Sequence, residues 1–250
     1  MRPVLTKLTP TRGFSSFLHY TLLVLLPLLV FVLIRLEDFD VLAFIVVILA
    51  KWRMFAVRPR FWPANVRANA VDIMVGISVV IFMQDASGAL GQLLWATAYG
   101  IWLIVIKPRS TTLWISVQAG IAQFAALSAL YVAWADKPLY AISLVTGGIC
   151  YLAARHFIDS FDEAYARLLS YTWGYIGAAL AWLLGHWLLY YQFVAQPTLL
   201  LSAVGYGLAA LYYFDHYNRL NDSLRRQFVF IMLAVVLVVL TFSDWGDKVV

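Results

Sequence analysis

The sequence is poor in charged residues and contains almost no cysteine. Only 12% of its 250 residues are charged, whereas 63% are hydrophobic and the mean hydropathy is +0.82. An ordinary globular domain is about a quarter charged, so this composition is incompatible with a soluble fold. The single cysteine, Cys150, lies in an apolar run and permits neither an intrachain disulfide nor a cysteine-based metal site.

The common motifs of soluble enzymes are also missing. The sequence has no Walker A, Gly-x-Ser-x-Gly, His-Glu-x-x-His or Cys-x-x-Cys pattern. The apolar runs carry no charge at mid-depth, where proton relays and ion-coupled carriers usually have one. The sequence therefore does not define an activity, and it leaves the cofactor unknown.

Long apolar runs dominate what is present. A hydrocarbon core about 30 Å thick needs roughly 20 mostly apolar residues in a helix. Nine candidate runs cover approximately residues 17–34, 41–57, 69–84, 90–106, 112–135, 139–156, 163–191, 198–214 and 224–242. The third and fourth are joined by the small-residue segment QDASGALGQ, and in an alternative arrangement they form a re-entrant hairpin. We therefore predict an all-α polytopic transmembrane helix bundle of about nine spans, or seven, as a single membrane domain over residues 1–250.

The basic residues predict an orientation. If the N-terminus is inside, 15 of the 18 Lys and Arg residues fall in inner loops, whereas Asp and Glu divide 6 inside to 7 outside. Such a bias in Lys and Arg alone is described by the positive-inside rule. We expect a multi-pass protein of the cytoplasmic membrane with its N-terminus inside and its C-terminus outside. Topology also explains the net charge of +5, so no nucleic-acid partner is expected.

The inner loop after the second run alternates basic and aromatic residues. Its cations include Arg53, Arg58, Arg60 and Arg67, interleaved with Trp52, Phe55, Phe61 and Trp62. One interpretation is that arginines bind a lipid phosphate or an anionic substrate. The other is an ordinary positive-inside anchor with interfacial aromatic residues. Both predict membrane lipids, with anionic headgroups at the inner face, as partners.

Two clusters of polar residues suggest a catalytic or metal-binding site. His156 and Asp162 are six residues apart, as are His216 and Asp222, and the two sets are offset by 60 residues. If the segments converge, carboxylate and imidazole groups could bind a divalent metal. The candidate catalytic residues are His156, Asp159, Asp162, Glu163, His216 and Asp222. In such an enzyme a histidine acts as acid or base, and Arg58 and Arg60 bind the phosphate of a lipid substrate.

Helix capping is the competing interpretation of these acids. Ser160-Phe-Asp-Glu163 matches a capping box, and Asp222 with Ser223 is also suited to a helix start. Similar residues precede other runs, including Asn69 with Asp72, Asp40, Ser110 and Asp136 with Pro138. Side-chain oxygens at these positions satisfy unpaired N–H groups, and acids there favour the helix dipole.

Uncharged polar and small residues lie inside the runs. Gln118, Gln123 and His186 are candidates for lining a pore or for making interhelical hydrogen bonds. Small residues at spacings of four recur in two consecutive runs, at Gly174, Ala178, Gly177, Ala181 and Gly185, and at Ala203, Gly207, Gly205 and Ala209. We predict that these two helices pack closely against each other.

Three classes of function remain open. The first, which we favour, is a membrane-embedded binding, scaffold or assembly component, because caps and anchors account for most polar residues. The second is a transporter or permease for a small solute. The third is a metal-dependent interfacial enzyme acting on a lipid-phosphate substrate.

Overall fold

The fold is described by a computed structural model covering residues 14–36, 39–186 and 194–242. These residues form helices and contain no β-strand, which confirms the all-α prediction for the described part. The α-helices are α1 Phe14–Arg35, α2 Asp40–Leu49, α3 Trp62–Ala68, α4 Ala70–Asp85, α5 Ala89–Ile101, α6 Thr112–Ala133, α7 Leu139–Ile158, α8 Ala166–Gly185, α9 Gln196–His216 and α10 Asp222–Phe242. Short 3-10 turns lie at Trp52–Met54, Pro59–Phe61 and Asp159–Phe161, and a π-helix extends α5 at Trp102–Ile106.

Fewer helices than predicted are able to cross a membrane. Six of those described are long and apolar enough: Ala89–Ile106, Thr112–Ala133, Leu139–Phe161, Ala166–Gly185, Gln196–His216 and Asp222–Phe242. A seventh candidate is the pair Pro59–Ala68 and Ala70–Asp85, which is bent by 64°. The apolar segments Thr21–Arg35 and Asp40–Leu49 belong to a shorter class of 10–17 residues. These helices suggest a multi-pass membrane protein, whereas about nine spans are not confirmed.

The second predicted span is much shorter than expected. Residues 41–57 form a helix only as far as Leu49, and the chain then turns through Trp52–Met54. A helix continued through Lys51 and Arg53 would carry two cations further along an apolar run, which is costly without partners. The turn instead brings the Lys51 ammonium group to a carboxylate of α4.

From α4 to α10, helices that are consecutive along the chain alternate in direction. Phe82 near the end of α4 stacks on Trp95 in α5 with ring centroids 4.5 Å apart. The hydroxyls of Thr112, at the start of α6, and Tyr217, just after α9, are 2.6 Å apart. The alternation brings the starts of α4, α6, α8 and α10 to the same end of the bundle as the ends of α7 and α9.

The closest described helix packing joins α7 to α8, and not the pair that the sequence indicated. A Cβ atom built on Gly147 would lie 2.9 Å from the carbonyl oxygen of Gly174, and the reverse distance is the same. Gly177 similarly faces Cys150 of α7, whereas Gly207 of α9 faces Met232 of α10. The predicted close packing of α8 against α9 is present at Gly205 of α9, where an added Cβ would lie 2.9 Å from the Trp173 ring of α8, but the glycines of α8 face α7, and Gly207 faces α10. Spacing identifies a surface suited to close approach but does not identify the partner helix.

Burial separates a central helix from a peripheral one. Ten residues of α4, from Ala70 to Met83, are buried, whereas α10 buries only Val239 among those described. The other α10 side chains are mostly apolar and exposed, including Phe230, Leu237 and Phe242. Such a surface is stable when lipid tails cover it.

Candidate functional site

One end of the helix bundle carries most of the described cations. This basic end comprises the starts of α4, α6, α8 and α10, the ends of the π-helix, α7 and α9, and the adjoining turns. Eleven described basic side chains lie there, against Arg35 and Lys137 at the opposite end. The eleven are Lys51, Arg58, Arg60, Arg67, Lys107, Arg109, Arg155, Arg167, Arg219, Arg225 and Arg226. The resulting electrostatic potential attracts anions to this end.

A buried cluster of three charged residues lies at the basic end. Asp72, in the first turn of α4, accepts hydrogen bonds from the ammonium group of Lys51 through Oδ2, and the Nζ atom of Lys107 is 2.5 Å from the same oxygen. Only 8% of the Lys51 side chain is exposed, compared with 35% of Lys107. One carboxylate therefore compensates two ammonium groups and joins the ends of α2 and the π-helix to α4.

The π-helix supplies the remaining contact of this carboxylate. Trp102 donates its indole N–H to Asp72 Oδ1 at 2.9 Å. Beyond the π-helix, the Gln118 amide donates to the carbonyl oxygens of Ile106 at 2.8 Å and Arg109 at 2.9 Å. These contacts satisfy backbone groups that a helix end leaves without intrahelical partners. Gln118 thus holds the segment that carries Lys107.

Burial perturbs the pKa of Lys51. Loss of hydration favours the neutral amine and lowers the pKa of Lys51 to about 8, although attraction to Asp72 opposes the shift. Repulsion by Lys107 acts in the same direction as burial. The charge on Lys51 is therefore less favourable than that of an exposed lysine.

The residues from Trp52 to Ala68, called the interfacial segment below, form a folded surface unit. The Trp62 indole donates to the Phe55 and Val57 carbonyls at 3.2 and 3.0 Å, and the Asn65 amide donates to Met54 at 3.2 Å. Its outer surface exposes aromatic and basic side chains together, including Trp52, Phe61, Arg58 and Arg60. The side chain of Arg53 lies outside the described part. This combination suits a membrane headgroup layer, where aromatic rings are enriched.

A basic cavity has the end of the interfacial segment as one of its walls. Its volume is about 270 Å³. It is lined by Ala64, Arg67 and Ala68 of α3, Ile115 of α6, and Arg155, His156, Asp159 and Ser160 at the end of α7 and the following turn. Arg155 donates through Nη2 to Asp159 at 2.8 Å. Its Nε and Nη1 atoms, and Nε2 of His156, are buried without hydrogen-bond partners.

The two predicted polar clusters partly converge, through Glu163 and His216. Tyr212 donates its hydroxyl to Glu163 at 2.6 Å, and the rings of Phe161 and His216 are 5.0 Å apart. The hydrogen bond from Tyr212 is the main cause of a lowered pKa for Glu163. Asp222 instead pairs with Arg225 at 2.7 Å on the surface. Over the described ranges, no group of three or more His, Cys, Asp or Glu side chains is placed to hold a metal ion.

The turn after α7 departs from a capping box. Ser160 donates its hydroxyl backwards to the Phe157 carbonyl at 2.7 Å, and α8 begins only at Ala166. Asp162 between them adopts a left-handed conformation with φ 53°. Glu163 accepts from the backbone N–H of Tyr165 at 3.4 Å, whereas a capping box would direct it to the backbone N–H of Ser160.

Other helix starts use different caps from those predicted. The Thr111 hydroxyl, rather than Ser110, accepts from the backbone of Trp114 at 3.4 Å. The side chain of Asn221, one residue before Asp222, accepts from Leu224 at 2.7 Å. Asp72 is engaged by its cations, and Asn69 donates to the Asn65 carbonyl, so neither has the capping role expected from sequence.

The interior amide of Gln123 connects three helices. It donates to the Leu201 carbonyl of α9 at 3.0 Å and accepts from the Trp173 indole of α8 at 3.0 Å. His186 lies at the opposite end of the bundle, is exposed, and contacts the Trp182 carbonyl at 2.7 Å. Buried polar atoms without partners occur in the same half of the bundle, at Ser128, Ser143, Gln196, Thr198 and Ser202.

Comparisons with protein-family models, curated protein sequences and solved structures found no significant match to this chain. Function is therefore inferred from the residues themselves. The sequence predicts Asp72 as a helix cap, and it places Lys107 and Arg155 only among the inner-loop cations that indicate orientation. These residues lie at ends of apolar runs that come to the same end of the bundle when consecutive helices alternate in direction. This was the signal in the sequence that could have identified them. The alternation alone does not specify which neighbouring helices touch.

Proposed function

We propose that this protein is a membrane-embedded binding component whose basic end holds anionic lipid headgroups. The observation that carries the proposal is the interfacial segment, where exposed Arg58 and Arg60 lie among exposed aromatic side chains. Each Lys or Arg near an anionic membrane surface contributes on the order of 1 kcal/mol. Aromatic rings add an anchor at the same depth.

The bend between α3 and α4 supports an interfacial position. Pro59–Ala68 departs by 64° from the direction of Ala70–Asp85. If α4 crosses the apolar layer, such a bend turns the preceding segment towards the membrane plane. Arg60 lies over the ring of Phe61 with its guanidinium carbon 4.6 Å from the ring centroid, leaving donors available for a phosphate.

The proposal includes an orientation. Eleven described cations at one end against two at the other match the bias that membrane insertion produces. We infer that the basic end faces the cytoplasm and that the membrane is the cytoplasmic one. In that arrangement the interfacial segment contacts the leaflet that usually carries anionic lipids.

Lipid selectivity in reconstituted membranes tests the proposed function. The protein is placed in phosphatidylcholine vesicles containing spin-labelled phosphatidylglycerol or spin-labelled phosphatidylcholine, and the immobilised fraction is measured. We expect preferential immobilisation of the anionic lipid, weakened by salt. Arg58→Gln with Arg60→Gln should lower the preference several-fold, whereas Arg35→Gln with Lys137→Gln at the opposite end should leave it nearly unchanged. Equal immobilisation of both lipids by the unmodified protein would overturn the proposal.

A second candidate, a carrier for a small polar solute, is favoured by the unpartnered polar atoms away from the basic end. Both amide atoms of Gln196, the Thr198 hydroxyl and the Ser202 hydroxyl are buried without partners in α9. Buried polar groups normally have a protein or water partner. Glycerol and urea permeability of proteoliposomes tests this candidate. An increase over empty vesicles that Gln196→Leu abolishes would support it, and no increase would count against it.

A further inference from the structure

The basic cavity differs from the exposed surface around it because its donors are built into the fold. Arg155 comes from the last turn of α7, Arg67 comes from α3, and Ile115 of α6 also lines the cavity. The Arg155 side chain is only 11% exposed. Arg67 makes no ion pair within the described residues.

Polar side chains of the cavity wall include buried nitrogens that have no hydrogen-bond partner. Asp159 satisfies only one nitrogen of Arg155 and leaves Nε and Nη1 buried without acceptors. A buried donor without a partner costs about 1–3 kcal/mol, and more when it is charged. Nε2 of His156 adds another unpartnered atom of the same wall. A ligand with several acceptor oxygens would match the polar wall that Arg67, Arg155 and His156 form.

The charge balance favours a singly charged ligand. Arg67 and Arg155 contribute two positive charges, and Asp159 removes one. The C-terminal dipole of α7 further reduces the attraction for an anion at this end. A phosphodiester has two free oxygens but one negative charge, and it matches this balance better than a dianion does. An arginine fork also fits the geometry of phosphate oxygens.

Size and position favour the headgroup of a lipid. A cavity of about 270 Å³ is smaller than the roughly 300–1,000 Å³ that encloses drug-sized ligands. It can therefore take a headgroup while the acyl chains remain in the surrounding membrane. Because Ala64, Arg67 and Ala68 of the wall belong to the interfacial segment, the opening lies at the headgroup layer to which the proposed function assigns that segment.

We propose that the cavity formed by Arg67, Arg155, His156, Asp159 and Ser160 binds the phosphodiester of one anionic lipid. This inference rests on the proposed function and adds a defined site to a general preference for anionic headgroups. The guanidinium groups of Arg155 and Arg67, which both line the cavity, bind the phosphate oxygens. Asp159 keeps Arg155 in position through Nη2.

Binding in neutral detergent micelles tests the site apart from the membrane surface. The full chain is titrated with short-chain phosphatidylglycerol and, separately, with inorganic phosphate, and binding is followed by calorimetry. Arg67→Gln and Arg155→Gln should each weaken the lipid by about tenfold or more. Arg167→Gln is the matched control, because this exposed cation lies at the same end but outside the cavity wall, and it should change affinity by less than about twofold.

The possible outcomes distinguish a defined lipid site in the cavity from a general preference of the basic end for anionic lipids. Similar losses in Arg67→Gln, Arg155→Gln and Arg167→Gln would overturn the cavity site and leave the proposed lipid preference standing. Saturation by inorganic phosphate at lower concentration than the lipid would overturn the lipid assignment in favour of free phosphate. If Arg155→Gln fails to fold by circular dichroism and gel filtration, Arg67→Gln decides the result. Loss of vesicle selectivity only in the Arg58 and Arg60 variant, with no lipid titration in micelles, would refute the defined site alone.

Discussion

Asp72 and Lys51 form a buried ion pair although 21 residues separate them along the chain. Lys51 follows the short helix α2, and Asp72 lies in the first turn of α4. The pair fixes the interfacial segment between two points of the bundle, because that segment is the chain that joins them. Lys107 and Trp102 complete the contacts of the carboxylate.

Replacing Asp72 by Asn should destabilise the protein strongly. The substitution preserves shape but leaves the Lys51 and Lys107 ammonium groups facing each other without a counter-charge. Loss of one partner of a buried pair costs about 3–5 kcal/mol. Thermal unfolding in detergent measures the change. Asp136→Asn is the control, because the exposed Asp136–Lys137 pair should be worth at most about 1 kcal/mol. Equal effects of the two variants would contradict the structural role of Asp72.

Stability should rise with pH through the Lys51 titration. The folded-state pKa of Lys51 is about 8, below its ordinary value of 10.5. Between these values the unfolded chain binds a proton that the folded chain does not, so the free energy of unfolding increases with pH. Below about pH 8 the penalty for burying the ammonium group is fully present.

The difference in unfolding free energy between the unmodified protein and Lys51→Met isolates the contribution of Lys51, because the contributions of the other titrating groups cancel. Unfolding free energies at pH 7 and pH 9.5 should diverge in favour of the unmodified protein at the higher pH. Lys137→Met, at an exposed position, provides the control. A difference that does not change with pH would refute the shift.

Two adjacent glycines in α7 should respond oppositely to alanine. Gly147→Ala places a methyl group 2.9 Å from the Gly174 carbonyl oxygen, and overpacking of this kind costs about 1–3 kcal/mol. A methyl group added at Gly148 would face open space, with no neighbouring helix within 4 Å. Gly148→Ala should therefore stabilise α7 by up to about 1 kcal/mol through helix propensity. Unfolding of the two variants under one condition measures the contrast, and similar stabilities would argue against close α7–α8 packing.

Cysteine labelling should assign the basic end to the cytoplasm. The native Cys150 is buried in α7, so a maleimide reports on an introduced cysteine. In intact cells a membrane-impermeant maleimide should label Asp136→Cys without permeabilisation. Ser110→Cys, at the basic end, should be labelled only after permeabilisation. The reverse pattern would invert the proposed orientation.

The helical class could be predicted from sequence because bilayer thickness sets a length that apolar runs must meet. The end of α2 at Leu49 could not be predicted from sequence. Apolar residues follow Lys51 as well as precede it, so hydropathy alone does not mark where the helix ends. The turn after Ala50 brings Lys51 to the carboxylate of Asp72, which is remote in sequence. Only part of the candidate anion site could be predicted from the sequence. Arg67 was identified as an anion ligand and His156 as a catalytic candidate, but the sequence did not show that both line one cavity with Arg155.

The sequence by itself determined that this is a helical protein with several segments long and apolar enough to span a membrane, because hydrophobic composition and helix length act locally. It also determined where cations concentrate, because antiparallel alternation follows from the order of the runs. The tertiary structure alone decided which cations are paired. Asp72 compensates Lys51 and Lys107, whereas Arg155 retains unpartnered nitrogens beside Arg67. Such pairing depends on distances between helices, and hydrophobic pattern does not encode those distances.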